Sequence, residues 1–80
     1  MFSDAEKARL RVGYKQAIRA LKESKAEKVF LAEDCDGHIK ESIEKLAGGN
    51  TPVLYVPDMR ELGAMCSIDV GASCAVVLNN

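Results

Sequence analysis

The chain of 80 residues lacks several sequence patterns and is poor in some residue types, and the missing patterns exclude classes of protein. Tryptophan is absent, and the chain has only two prolines and one histidine. Its longest aliphatic or aromatic runs, such as VFLA and AVVL, have four residues, whereas a membrane-spanning helix needs about 20. No apolar segment of the kind found in signal peptides follows the N-terminal methionine. We therefore expect a cytoplasmic protein with no membrane partner.

Cysteine is also scarce, and the rest of the composition is ordinary. Cys35, Cys66 and Cys74 are odd in number, and their spacing fits neither a disulfide framework nor the C-x-x-C motif of zinc and redox sites. We expect reduced, at least partly buried thiols, no metal and no cofactor. Hydrophobic residues make up 48% and charged residues 29%, which is typical of a folded protein, and the length predicts a single domain over residues 1–80.

The charges are divided unevenly along a chain whose formal net charge is only −1. Residues 1–28 contain eight Lys or Arg and four Asp or Glu, a balance of +4, whereas residues 29–80 contain three and eight, a balance of −5. A basic surface on the first part can attract phosphate while the whole protein stays near neutral. A solvated pair of basic helices explains the same pattern, so charge alone leaves both interpretations open.

Apolar periodicity and capping residues predict seven elements, in the order helix, helix, strand, helix, strand, helix, strand. Ser3 and Glu6 match a capping box, Gly48 follows the last turn of a helix, and Asp58 can cap a short helix. The predicted helices cover residues 4–11, 14–22, 39–47 and 59–66, and the predicted strands cover residues 28–34, 51–57 and 72–78.

This order of elements predicts an α/β fold. Strands that alternate with helices favour parallel pairing through right-handed crossovers, so we expect the three strands to be parallel and the first two to be buried on both faces. An additional short strand near Arg11 and Val12 would complete a small mixed four-stranded sheet. With helices on both faces, the expected architecture is a three-layer α/β/α sandwich.

Three short segments could carry chemistry, and the first is the turn DCDG. Its carboxylates, Asp34 and Asp36, are similar to the D-x-D-G motif of phosphatases that form an aspartyl-phosphate, where one acid is the nucleophile and the other a general acid. That chemistry needs further groups from a much longer chain. An Asx-type turn that caps the following helix is the simpler interpretation, and we favour it.

The second segment is VGYKQAIR. Gly13 allows close approach of a ligand to the backbone, and the first turn of the following helix presents N–H groups to an anion. Lys15 and Arg19 supply donors for guanine or phosphate, and Gln16 can both donate and accept. Regular A-form RNA would exclude such side chains from its deep groove, so the expected target is a distorted helix. A solvated helix start has the same composition.

The third segment is the loop CSIDVGA, in which Ile68 and Val70 flank Asp69. Apolar side chains on a loop can stack against an unpaired base. They can equally fill the edge of the core.

Taken in order, VGYKQAIRALK, VFLAEDCDG and PVLYVPDMRELGAMCSIDVGASCAVVL resemble the kink-turn-binding family of ribosomal proteins, the L-seven-Ae and L-thirty-e superfamily, and more narrowly its short bacterial members. The resemblance extends from about Leu10 to Leu78. It implies a monomeric, non-enzymatic protein that binds structured RNA, in the ribosome or in riboswitches. The recognised motif would be the kink-turn, in which tandem sheared G·A pairs lie beside a bulge.

Carried onto this sequence, the resemblance implies two groups of RNA-binding residues. Those set against the G·A pairs are Gly13, Lys15, Gln16 and Arg19, and those holding the bulged nucleotides are Asp36, Ile68, Asp69 and Val70. Archaeal and eukaryotic members usually carry Asn-Glu in place of Lys15-Gln16, so phosphate contact should be stronger here. A protein-interaction module without RNA affinity and a small phosphoryl-transfer enzyme using Asp34 and Asp36 are the alternatives.

Overall fold

Four helices and four strands make up residues 2–79, the part of the chain that the computed structural model describes. In that range none of the helices has the length and apolar character needed to cross a bilayer. The elements are α1 (Asp4–Arg9), β1 (Leu10–Val12), α2 (Tyr14–Lys22), β2 (Ala26–Ala32), α3 (Gly37–Ala47), β3 (Val53–Val56), α4 (Met59–Met65) and β4 (Cys74–Leu78).

The strands form one mixed sheet in the order β1-β4-β2-β3. The predicted strand near Arg11 and Val12 is confirmed as β1 at one edge, and β2 and β3 are parallel as predicted. The prediction of a parallel last strand is wrong, because β4 is antiparallel to both β1 and β2.

The reversed direction of β4 has a local cause. Helix α4 has only seven residues, which is about 10 Å of helix. After it, the chain turns back, and the N–H of Ala72 donates to the carbonyl of Met59 at the start of the same helix (3.0 Å). The chain therefore enters β4 at the end of the sheet where β3 stopped, and it can only run antiparallel.

Helices cover both faces of the sheet, as the sandwich prediction requires. On one face, Lys28 of β2 forms an ion pair with Glu6 of α1 (2.6 Å). Val29 projects from the opposite face because successive strand residues alternate. Val29 and Arg11 both pair in register with Val76, so Arg11 lies on that second face too, where it and residues of α2 line one groove. Helix α3 packs against α2.

The core lies around β4. Cys74, Ala75, Val76 and Val77 are all fully buried, which is possible only with a layer on each face. The prediction that β3 is buried on both faces is wrong, because β3 is the other edge strand and leaves Leu54 43% and Tyr55 47% exposed.

The three cysteines agree with the prediction of partly buried thiols. Cys35 and Cys74 are buried and Cys66 is half-buried. Burial raises the pKa of all three thiols above the ordinary value. A raised pKa keeps a thiol protonated and unreactive at neutral pH.

Helix caps form where the sequence predicts them. Ser3 accepts a hydrogen bond from the N–H of Glu6, whose carboxylate accepts from the N–H of Ser3. Asp58 accepts from the N–H of Glu61 at the start of α4 (2.7 Å). Gly48 ends α3 with a φ of 53°, a left-handed conformation that favours glycine.

The loop of residues 66–73 is held closely against α4. The carbonyl oxygen of Val70 lies so near Gly63 that a Cβ there would collide with it, and the N–H of Ile68 donates to the carbonyl of Gly63 (3.1 Å). A Cβ at Gly71 would lie 3.3 Å from that of Met59. Two glycines thus allow the loop backbone to contact the helix directly.

Replacing Gly63 tests this contact. We expect Gly63→Ala to lower the free energy of unfolding by about 1–3 kcal/mol, because the added methyl group overlaps backbone atoms that cannot move independently. Gly37→Ala is the matched control, since Gly37 also lies in a helix but a Cβ there would meet no atom within 4 Å. Urea denaturation of both variants measures the difference, and equal stability would contradict the proposed overlap.

The ion pair between Glu6 and Lys28 predicts a dependence of stability on pH. The hydrogen bond from Lys28, followed by that from the Ser3 N–H, lowers the pKa of Glu6 from 4.5 to about 2. Because the folded pKa is the lower one, the stabilisation is complete above about pH 4.5 and is lost as the pH falls towards 2. We expect the urea midpoint of the wild type to exceed that of Glu6→Gln near pH 6. The gap should narrow below pH 4.5, and a gap that stays constant would contradict the assignment.

Candidate nucleic-acid interface

The three segments singled out in the sequence meet at one end of the sheet. The N–H of Gly13, just before α2, donates to the carbonyl of Cys74 at the start of β4 (2.9 Å). The N–H of Ala32, the last residue of β2, donates to the carbonyl of Ser73 (2.9 Å). The start of α2, the turn after β2 and the loop before β4 therefore share one surface.

The start of α2 is open and basic. Gly13 has a φ of 111°, which side-chain-bearing residues rarely adopt, and a Cβ there would meet no atom within 4 Å. No side chain within residues 2–79 caps this helix. Lys15 and Gln16 are exposed and the Arg19 side chain is 77% exposed, while the opposite side of α2 is buried. A ligand can thus reach the backbone at Gly13 and all three polar side chains.

The turn after β2 is built by its two carboxylates. Asp36 accepts a hydrogen bond from the N–H of His38 and caps α3 (2.8 Å), as the Asx-turn interpretation predicts. Asp34 accepts from the N–H of Met59 and so ties the turn to the start of α4 (2.8 Å). Sequence spacing does not indicate this second bond, which crosses 25 positions. Both acids hold backbone groups in place, which favours a structural role over a phosphoryl-transfer site.

The loop before β4 separates its two apolar side chains. Ile68 is half-buried and packs against the core, as the alternative interpretation proposes for both. Val70 is 70% exposed, and Asp69 between them is exposed as well. Val70 is therefore the apolar side chain of this loop that is accessible to a ligand.

The structure also brings together basic residues that the sequence patterns did not connect. Arg11 of β1 and Lys25, which follows α2, line one groove with Gln16 and Arg19. We call this the basic groove; its remaining lining residues are Ala20, Glu23 and Leu78. The excess of positive charge in residues 1–28 was the only signal of it in the sequence, because the pairing of β1 with β4 is what places Arg11 beside α2.

Glu23 neutralises part of the basic groove. Its carboxylate lies 3.3 Å from the Nζ of Lys25 and 3.5 Å from the Nε of Arg19. Lys25 first, and then Arg19, lower the pKa of Glu23. The carboxylate is therefore ionised at neutral pH, and it is exposed, so water and salt weaken both ion pairs.

A metal ion is held by several donor side chains placed around one point. Among the residues that the structure describes, no set of three or more His, Cys, Asp or Glu side chains is placed to hold one. The surface consequently offers hydrogen-bond donors, carboxylate acceptors, one accessible aliphatic side chain and an open backbone.

Comparisons with known proteins point to one family. The family model described as "Ribosomal protein L7Ae/L30e/S12e/Gadd45 family" matches residues 3–80. An RNA-binding protein of Geobacillus kaustophilus is 47% identical over 68 residues, which are 84% of this chain and 83% of that protein. The RNA-binding protein YbxF of Geobacillus stearothermophilus is 46% identical with the same coverage. These names describe binding rather than catalysis, in agreement with the prediction of a non-enzymatic protein.

A solved structure supports the fold. A protein of unknown function from Bacillus halodurans superposes with a TM-score of 0.82 and 22% identity, covering 94% of this chain and 76% of that one. At this identity the likeness establishes the sandwich fold alone. The family match over nearly the whole sequence and the close relatives confirm the resemblance seen in the motifs, and the chain belongs to the family described as "Ribosomal protein L7Ae/L30e/S12e/Gadd45 family".

Proposed function

We propose that this chain is a non-enzymatic RNA-binding protein that recognises kink-turns and stabilises their kinked state. The observation that carries the proposal is the meeting of the α2 start, the Asp34–Asp36 turn and the loop before β4 on one surface. The relatives named as RNA-binding proteins support it. The protein would act as a cytoplasmic monomer on ribosomal or riboswitch RNA.

The start of α2 suits a widened groove with sheared G·A pairs. Gly13 has open space above its backbone, so an RNA strand can approach it without a steric clash. Lys15 and Arg19 can donate to guanine O6 and N7 or to phosphate, and the Gln16 amide can donate to and accept from a base edge. Lys15-Gln16 carries a positive charge where archaeal and eukaryotic members usually have the negatively charged pair Asn-Glu, so salt should weaken binding strongly.

The loop and the turn suit the bulged nucleotides. Val70 is exposed beside the surface and can pack on the face of an unstacked base. Asp36 and Asp69 are exposed and can accept hydrogen bonds from base amino groups. Ile68 is half-buried, so its proposed role is to support the loop from below while its exposed part adds contact area.

A comparison of two RNAs tests the proposed function. Calorimetry at one fixed salt concentration measures wild-type affinity for a kink-turn and for the same RNA with its G·A pairs changed to Watson–Crick pairs. We expect measurable binding to the kink-turn and at least tenfold weaker binding to the control. Equal affinity for both RNAs would contradict kink-turn recognition, and binding to neither would favour the protein-interaction alternative.

Two substitutions test the α2 residues. Lys15→Ala and Arg19→Ala should each lower kink-turn affinity by about 1–3 kcal/mol, the range for a side chain that contacts a base edge. Both side chains are exposed, so the thermal unfolding temperature should stay unchanged. Lys45→Ala is the matched control, because Lys45 is an exposed lysine in the last turn of α3. Affinities equal to that of the control would remove Lys15 and Arg19 from the interface.

A further inference from the structure

The basic groove extends from the proposed kink-turn contact towards the β1 edge of the sheet. Gln16 and Arg19 belong to both, since they lie on α2 between the start of that helix and the groove. Arg11 and Lys25 line the groove beyond them. A ligand held at the α2 start can therefore continue into the groove without crossing another element.

Hydrogen bonds with the backbone hold the two basic residues Arg11 and Lys25 in place. The Nη1 atom of Arg11 donates to the carbonyl of Leu10 (2.8 Å), which orients the guanidinium and leaves its other two nitrogens to bind a ligand. The main chain of Lys25 is held at both ends, because its N–H donates to the carbonyl of Ala20 (2.9 Å) and its carbonyl accepts from the N–H of Asn79 (2.7 Å). The positions from which both cations extend are thus set by the fold.

We propose that the basic groove binds the phosphate backbone of the RNA stem that continues from the kink. Arg11 and Lys25 would be its phosphate contacts, Arg19 would be shared with the G·A contact, and Glu23 would be the counterion that phosphate replaces. This proposal rests on the proposed function and adds a second contact to it. The lining supplies three cations and one carboxylate, so the groove has an excess of positive charge. Such a groove can bind an RNA backbone, in which each phosphate carries one negative charge.

Glu23 forms ion pairs in the groove that a phosphate group can displace. Without RNA, its carboxylate pairs with Lys25 and Arg19 at 3.3 and 3.5 Å. Both pairs are exposed, so they are weak enough for a phosphate to displace them. Phosphate that enters must compete with Glu23 and is repelled by it, so the carboxylate lowers affinity for every RNA and thereby limits binding that rests on phosphate contact alone.

Salt-dependent binding of three variants tests the groove. Each lost phosphate contact should make the slope of log K against log salt shallower by about 0.9, with duplex RNA taken as similar to duplex DNA. Over a fourfold rise in salt, the affinity of such a variant should therefore fall roughly threefold less than that of the wild type. We expect Arg11→Gln and Lys25→Gln each to bind a kink-turn RNA more weakly with such a reduced slope. Glu23→Gln should bind about threefold more tightly.

The controls carry the same change of charge elsewhere. Lys45→Gln and Glu41→Gln lie on α3, which α2 separates from the β1 edge. If they match Lys25→Gln and Glu23→Gln, the effect is one of net charge and the groove proposal is overturned. Circular dichroism and thermal unfolding confirm that each variant is folded before its affinity is compared.

Shortening the RNA locates the contact. The stem on each side of the kink is shortened in turn until only the base pairs next to the G·A pairs remain. The penalty of Arg11→Gln and Lys25→Gln should vanish with one shortened stem and persist with the other. A penalty that is the same for all lengths would overturn the groove, whereas failure of the wild type to prefer the kink-turn at any length would overturn the proposed function instead.

Discussion

The close contact between α4 and the loop that follows it determines most of the remaining arrangement. The hydrogen bond from the Ala72 N–H to the Met59 carbonyl returns the chain to the start of α4, and Gly63 lets the backbone at Val70 lie directly on the helix. The return makes β4 antiparallel and places the loop beside the start of α2. The same contact leaves Val70 exposed, because its backbone faces the helix and its side chain does not.

The distribution of charged residues in the fold fits the RNA-binding function that we propose. The acids of the turn after β2 are engaged locally, Asp36 with the N–H of His38 and Asp34 with that of Met59. The basic residues on and next to α2 are mostly exposed on the α2 side of the sheet, and the carboxylate of Glu23 lies between Lys25 and Arg19. A net charge of −1 therefore hides a basic surface that could meet RNA while the rest of the protein stays acidic.

Much of the fold could be predicted because its signals are local. A capping box depends on residues three positions apart, so Ser3 and Glu6 predict α1, and the burial of Ala17 and Leu21 follows from helical spacing. The direction of β4 could not be predicted, because it depends on where the loop docks and not on any spacing. The edge position of β3 could not be predicted for a similar reason, because an apolar run has the same pattern in a central strand as in an edge strand.

The sequence alone determined the elements, their caps, the family and the identity of the exposed polar residues on α2, because each depends on neighbouring residues or on motifs read in order. Only the tertiary structure decided which of these residues lie together. Strand pairing brings Arg11 next to α2, docking of the loop separates the exposed Val70 from the half-buried Ile68, and Asp34 reaches Met59 across 25 positions. Such long-range contacts arise from packing of the whole core, which no local pattern in the sequence specifies.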